Sequence, residues 1–158
     1  MDTKDFLKGV PGFRRLADEH IERIVPLARE RQVRAGTVID KQGDPADRFY
    51  VLVHGRVAVV LATDFGVSRH SYIVTSLGPR EMFAWSGMVG NPNYTASGEA
   101  LIDSTVLEFR VSELHQVFEA DPELGYHFIQ AIARTISSRL RHMQLQFVRQ
   151  AAIRESSE

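Results

Sequence analysis

The chain has 158 residues, of which 44% are hydrophobic and 25% are charged, and its formal net charge is -1. This length and composition favour a single globular domain with its own core, and the charge gives no indication of a general polyanion binder. There is no cysteine, which excludes disulfides, thiol catalysis, cysteine-ligated zinc and iron–sulfur clusters. Because the sequence has neither a signal peptide nor an apolar run of membrane-spanning length, we expect a soluble cytoplasmic protein.

Residues 1–30 are predicted to be helical. The stretch FLKGVPGFRRL is interrupted at Gly9, Pro11 and Gly12, so it should form two short helical pieces. In ADEHIERIVPLARE the apolar residues fall on one helical face, and Asp18 is predicted to be the N-cap. Pro26 should kink this helix or lie in its first turns.

Residues 31–110 read as short strands separated by turn residues. RQVRAGTVID should be two extended pieces hinged at Gly36, KQGDPADR a turn, and SRHSYIVTSL a strand that ends at Gly78-Pro79. FYVLVHGRVAVVLA predicts a hairpin at His54-Gly55, and TASGEALIDSTVLEFR predicts a strand pair that turns at Asp103-Ser104. Many short strands with glycine at the corners indicate a barrel, roll or sandwich.

Residues 111–155 are predicted to be helical again. Ser112 can cap SELHQVFEA, and Asp121-Pro122-Glu123 combines an N-cap, a proline at the first helical position and an acid in the first turn. The helix that follows carries apolar residues at intervals of three and four. They are Ile129, Ile132, Ile136, Leu140, Met143, Phe147 and Ala151.

A helix over residues 122–153 would be about 48 Å long, whereas a globule of the preceding residues would be roughly 35 Å across. Its outer half still carries Met143, Leu145, Phe147 and Val148, so an apolar surface would face water. We expect this surface to pair with the same helix of a second chain. The alternative is a break near His142 that folds the end back.

The glycine corners, together with Asp44, Asp47 and Tyr50 in GTVIDKQGDPADRFYVLVHGRVAVV, resemble those of a known family. The chain is similar, over about residues 5 to 150, to the cyclic-nucleotide-binding domain of catabolite-activator/Fnr-type regulators. The resemblance implies a mainly β fold with flanking helices: a cupin-like double-stranded β-roll (jelly roll) of eight strands, short N-terminal helices and a long C-terminal helix. One domain, 1–158, would contain the roll at 31–110 and the phosphate-binding cassette at 81–97.

In that family the cassette reads Phe-Gly-Glu, a short helix, then Arg-Ser/Ala-Ala, and its Glu and Arg bind the ribose hydroxyl and the cyclic phosphate. The resemblance assigns to these positions Phe83, Ala84, Trp85, the short helix Ser86-Gly87-Met88-Val89, Tyr94, Thr95 and Ala96. Trp85 and Tyr94 thus replace both ligand-binding residues. Because an indole cannot accept the ribose proton and a phenol cannot neutralise phosphate, we do not expect ordinary cyclic AMP binding.

Two interpretations of the altered cassette remain open. Trp85 and Tyr94 could stack on a different effector while Ser86 and Thr95 donate hydrogen bonds, as in a branch of the family in which "WS" replaces "GE". Alternatively, the two rings fill an obsolete cavity and stabilise the roll. Two arginines could still serve an anion site: Arg80 just before the cassette and Arg139 on the long helix. Arg80 is more simply a surface charge.

Other chemistries find less support. The six histidines are dispersed, so a metal site is unsupported, although a cupin-like metalloenzyme is kept as an alternative. His70 alone does not indicate haem binding. No Ser-His-Asp set or pair of catalytic carboxylates is apparent, so we expect no enzyme. The chain ends where the family's helix-turn-helix would begin, so no direct DNA binding and no membrane association are expected.

The leading hypothesis is a non-enzymatic, homodimeric sensor domain, with no predicted cofactor and an unknown small-molecule or nucleotide effector. Its dimer helix would use Ile132, Ile136, Leu140, Met143 and Phe147. The alternatives are a ligand-blind dimerisation module, and the effector domain of a transcription regulator acting with a separate DNA-binding part. A stand-alone sensor acting on a protein partner is favoured over a fragment of a longer regulator.

Overall fold

The computed structural model describes residues 1–64 and 68–157; residues 65–67 and 158 belong to the predicted single domain but lie outside the described residues. The described part of the chain forms eight strands and four α-helices. They are α1 Thr3–Lys8, α2 Asp18–Ile24, β1 Arg29–Val33, β2 Val38–Asp40, β3 Arg48–His54, β4 Val57–Asp64, β5 Arg69–Leu77, β6 Met82–Phe83, β7 Ser97–Ala100, β8 Ser104–Arg110, α3 Val111–Ala120 and α4 Pro122–Glu155. Three short 3₁₀ helices, at Pro11–Phe13, Val25–Leu27 and Ser86–Val89, complete the fold.

The strands form two antiparallel four-stranded sheets, in the orders β1-β8-β3-β6 and β2-β7-β4-β5. Apolar side chains of both sheets make one core cluster, in which Tyr50 and Phe83 stack with ring centroids 5.1 Å apart. A second cluster joins the roll to the helices, where Phe128 of α4 packs against Phe13 and Phe49. The predicted fold class, a double-stranded β-roll with short N-terminal helices and a long C-terminal helix, is confirmed.

The two predicted strand pairs at glycine and aspartate turns are wrong. β3 pairs with β6 and β8, whereas β4 pairs with β5 and β7, so the His54-Gly55 turn carries the chain from one sheet to the other. The Asp103-Ser104 connection likewise joins β7 and β8 of different sheets. Gly55 has φ 110°, and a Cβ there would overlap Ser104. The sequence of a tight glycine turn does not show whether the next strand pairs with the preceding strand or crosses to the other sheet.

Two predicted helix caps are also wrong, and a third is confirmed. Ala17 is the N-cap of α2, and Asp18 inside the helix pairs instead with Lys8 at 3.0 Å. Arg110 precedes α3, and Ser112 makes no capping bond because the chain enters the helix directly from β8. Asp121 caps α4 as predicted, since its Oδ1 accepts from the Leu124 N–H at 3.2 Å.

The long helix α4 runs without interruption from Pro122 to Glu155, so the alternative with a break near His142 is wrong. At about 1.5 Å per residue it is roughly 51 Å long. Its first half covers the core, with Ile132 buried and Ile136 partly buried. Its second half leaves Leu140 54% and Phe147 73% exposed. Among the described residues, no helix has both the length and the apolar character that crossing a membrane requires.

Candidate ligand-binding site

A cavity of about 270 Å³ lies between the roll, the cassette segment and α4. Its wall contains Phe83, Ala84, Trp85, Ser86, Tyr94, Thr95, Ala96 and Arg139, all of which the resemblance had singled out. Arg80 is exposed and lies outside this wall, in a neighbouring groove against α4 that Arg139 also borders. The structure thus brings eight of the nine predicted residues together around one space. That they bind an effector stays a prediction.

The cassette is shaped by short backbone devices. β6 pairs with β3, so Phe83 is fixed opposite Tyr50 in the roll. The 3₁₀ helix Ser86–Val89 then ends at Gly90, which has φ 88°. Gly87 lies against the Ala46 carbonyl so closely that a Cβ would overlap it. These contacts fix the position of the Trp85 and Ser86 side chains relative to the cavity.

Ala84 adopts an unusual backbone conformation, with φ 58°. L-residues with a Cβ are strained in this left-handed region, which glycine enters freely. We expect Ala84→Gly to raise the free energy of unfolding by about 1 kcal/mol, measured from urea denaturation curves. Ala96→Gly, on the same cavity wall but without a left-handed backbone, should lower it instead. A destabilised Ala84→Gly variant would show that the strain is absent.

The Tyr94 hydroxyl is occupied by the protein itself. It accepts from the Arg48 N–H at 3.0 Å and donates to the Arg48 carbonyl at 2.8 Å. Burial raises the pKa of this phenol to about 12, so it stays protonated at neutral pH. Tyr94 therefore holds the start of β3 and offers the cavity only part of its ring.

Trp85 and Arg139 form the contact between the cassette and α4. The Arg139 Cζ lies 4.4 Å from the centroid of the Trp85 ring, a cation–π distance. Its Nη2 donates to the Met82 carbonyl at 2.9 Å and lies 4.0 Å from Glu81 Oε1. Burial lowers the pKa of this guanidinium, which the Glu81 charge partly offsets. Arg139, which the sequence left undecided between surface and site, is thus partly buried and links the cassette to α4.

Asp40 is a cavity residue that the sequence reasoning missed. It is 7% exposed, and its Oδ1 has no hydrogen-bond partner among the described residues. Burial raises the pKa of this carboxyl to about 7, while the N–H dipoles of Gly98 and of Asp40 itself act in the opposite direction.

A β-bulge in β2 is the reason that the sequence pattern did not indicate the inward position of Asp40. Strict alternation would place Asp40 on the same face as Val38, which is 49% exposed. A register shift between these two residues instead turns both Ile39 and Asp40 inward.

Within residues 1–64 and 68–157, no three His, Asp or Glu side chains lie close enough together to hold a metal ion. The expectation that the protein uses no metal or cofactor stays a prediction.

Comparison with known proteins agrees with this architecture. The model of the cyclic nucleotide-binding domain family matches residues 30–121. A putative cyclic nucleotide-binding protein of Geobacter metallireducens is 24% identical, covers 89% of this chain and 99% of its own, and superposes with a TM-score of 0.75. A cyclic nucleotide-binding domain of Methylobacillus flagellatus, 14% identical, covers 94% and 82% of the two chains with a TM-score of 0.80.

The curated relatives are much longer proteins. An uncharacterised NTE family protein of Mycobacterium tuberculosis is 24% identical over 135 residues, which are 85% of this chain and 22% of that protein. The chain thus matches only about a fifth of such a relative. The family match spans more than half of the chain and falls on the roll and its cassette. The chain therefore belongs to the cyclic nucleotide-binding domain family.

Proposed function

We propose that this domain is a non-enzymatic sensor whose cavity takes a small effector other than a cyclic nucleotide, and that it signals as a homodimer through α4. The single feature that carries the proposal is the cassette, in which the resemblance assigns Trp85 and Tyr94 to the positions of the family's ligand-binding Glu and Arg. A structural role for Tyr94 accounts for a tyrosine at the second of these positions, because its hydroxyl exchanges two hydrogen bonds with the Arg48 backbone.

The cavity supports binding of an effector and not only packing. It retains about 270 Å³ of space beside the two rings, so they do not fill it. Its wall combines apolar side chains with a few polar groups, which is the usual composition of small-molecule sites.

The position of Arg139 supports the proposed signalling through α4. This residue lies in the cavity wall, and its guanidinium stacks on Trp85 of the cassette. An effector that contacts both groups could change the packing of the helix pair, provided that it binds the two packings with different affinity. The proposal includes action on a protein partner or together with a separate DNA-binding part. A cytoplasmic location stays a prediction.

Calorimetry with cyclic AMP and cyclic GMP tests the proposal. We expect no saturable heat with either nucleotide at about 1 mM, because losing the guanidinium and the carboxylate contacts together forfeits roughly 3–6 kcal/mol, and leaving the phosphate unpaired costs more. A catabolite-activator-type domain with an intact cassette serves as the positive control. Stoichiometric micromolar binding of either nucleotide to the wild-type protein would overturn the proposal.

The second candidate is a ligand-blind dimerisation module. The engaged Tyr94 hydroxyl and the Arg139–Trp85 stack favour it, because both side chains already have partners within the protein. A thermal-shift screen of small aromatic compounds, nucleotides and haem separates the two candidates. An effector at about 100 times its dissociation constant stabilises the fold by about 2.7 kcal/mol, whereas a ligand-blind module shows no shift.

A further inference from the structure

The cavity wall contains a buried carboxyl group, that of Asp40, one oxygen of which has no hydrogen-bond donor among the described residues. Asp40 ends β2 opposite Gly98 of β7, and its Oδ1 is closed to solvent without a hydrogen-bond partner among the described residues. A buried polar group without a partner is costly, and native proteins rarely leave one unpaired without a reason. A ligand that donates an N–H to this carboxyl would remove that cost.

The position of the carboxyl is built into the backbone. Gly98 has no side chain, and a Cβ there would overlap the Asp40 Oδ1 and come within 3.2 Å of the Phe83 ring. The register shift between Val38 and Asp40 turns the side chain into the roll. Space for the carboxyl therefore depends on two independent local features.

The neighbouring hydroxyl groups have partners already. The Tyr94 hydroxyl binds the Arg48 backbone, and the Ser97 Oγ accepts from the Gln42 N–H at 2.8 Å. Asp40 is thus the strong acceptor that remains at this end of the cavity.

The charges of the cavity favour the same interpretation. Among the described residues of the wall, Asp40 and Arg139 are the ones that carry charge. Arg139 does not neutralise Asp40, because its guanidinium stacks on Trp85 and donates to the Met82 carbonyl. The same wall carries apolar side chains, among them Val59, Leu61 and Phe83.

We propose that this cavity binds a small aromatic molecule that carries an amidine- or amine-type N–H donor, with the Asp40 carboxylate as the acceptor. The proposal rests on the proposed function, in which the cavity takes an effector other than a cyclic nucleotide. The apolar wall packs against the ring, and a cationic donor makes a charge-assisted hydrogen bond with the carboxylate. An anionic group at this end would face the carboxylate and be repelled.

Benzamidine is the probe, and benzoate is its anionic counterpart of similar shape. A ¹H–¹⁵N titration of the wild-type protein should show benzamidine shifting the amide signals of Ala96, Ser97 and Gly98, whereas benzoate leaves them unchanged. Asp40→Asn keeps the size of the side chain but removes its charge, and should weaken benzamidine binding by about tenfold or more. Asp44→Asn, an exposed aspartate in the adjacent turn, is the matched control and should bind as the wild type does.

A pH series with the wild-type protein provides a second readout that does not depend on a variant. Because burial raises the Asp40 pKa to about 7, benzamidine affinity should increase about tenfold per pH unit between about pH 5 and 7 and then level off. Tyr50 of β3 and Tyr94 of the cassette interact electrostatically with the Asp40 carboxyl, and Arg139 of α4 lines the same cavity. Burial raises the pKa of both phenols, so neither phenol changes charge over this range.

The outcomes separate this inference from the proposed function. Benzamidine binding that is lost in Asp40→Asn and rises with pH supports the inference. Binding that persists unchanged in Asp40→Asn, preference for benzoate, or no benzamidine shift at about 10 mM overturns it. The proposed function fails on a different result, namely tight binding of cyclic AMP or cyclic GMP.

Discussion

The free energy of unfolding of the wild-type domain should fall by about 3 kcal/mol between about pH 5 and pH 8, owing to Asp40. The pKa of this carboxyl is about 7 in the folded protein, against an ordinary value of 3.8. Between these two values the folded state retains a proton that the unfolded chain has released. Stability from this group is therefore fully present below about pH 4, is lost as the pH rises through about 7, and is constant above about pH 8.

Asp40→Asn isolates this contribution, because the amide does not titrate over this range. The difference between the wild-type and Asp40→Asn stabilities from urea denaturation curves should therefore reproduce the fall of about 3 kcal/mol between about pH 5 and pH 8. The exposed Asp44→Asn serves as the control and should keep the wild-type slope, since the buried Asp40 carboxyl is unchanged in that variant. Identical slopes for the wild type and Asp40→Asn would contradict the assignment of the raised pKa to this residue.

The wild-type domain should be a homodimer in solution, and Met143→Glu with Phe147→Glu should convert it to a monomer. Met143 is 38% exposed and Phe147 73% exposed, and both lie on the face that continues from the buried Ile132. A two-fold axis uses each residue twice, so four carboxylates would enter one apolar interface. Since each 1.4 kcal/mol is tenfold in affinity, we expect the dimer dissociation constant to rise by about 100-fold or more.

Sedimentation equilibrium over a range of concentrations measures this change. Arg149→Glu introduces the same side chain on the opposite face of α4 and should remain dimeric. All three proteins should have the same far-ultraviolet circular dichroism, because these positions lie beyond the core. A wild-type protein that is monomeric at about 100 μM would refute the dimer.

The helical parts of the fold could be predicted from the sequence because their determinants are local. The apolar spacing from Ile129 to Phe147, with no proline or glycine after Gly125, implies one continuous helix, and Asp121 before Pro122 marks its start. The caps at Asp18 and Ser112 were wrong because several neighbouring residues compete to begin a helix. Tertiary contacts decide between them, as the Lys8 ion pair with Asp18 illustrates.

The arrangement of the strands depended on information that is not local. The glycine corners at Gly36 and Gly55 were identifiable, but a corner does not specify which strand the chain meets next. In the candidate site, the resemblance located the cassette residues. It could not indicate that the Tyr94 hydroxyl binds the Arg48 backbone, or that a bulge turns Asp40 inward. Both features depend on strands that are distant in sequence.

Because α4 is one continuous helix whose first half packs on the roll, its outer half should move with it as a unit when the helix tilts. Arg139 contacts Trp85 of the cassette. Phe147 lies about 12 Å farther along the axis of α4. A tilt of about 10° at Arg139 would move Phe147 by roughly 2 Å. A displacement of this size is enough to change how one side chain packs against the second helix of the proposed dimer. A small displacement of the Trp85 ring would therefore produce a larger displacement at the outer end of α4.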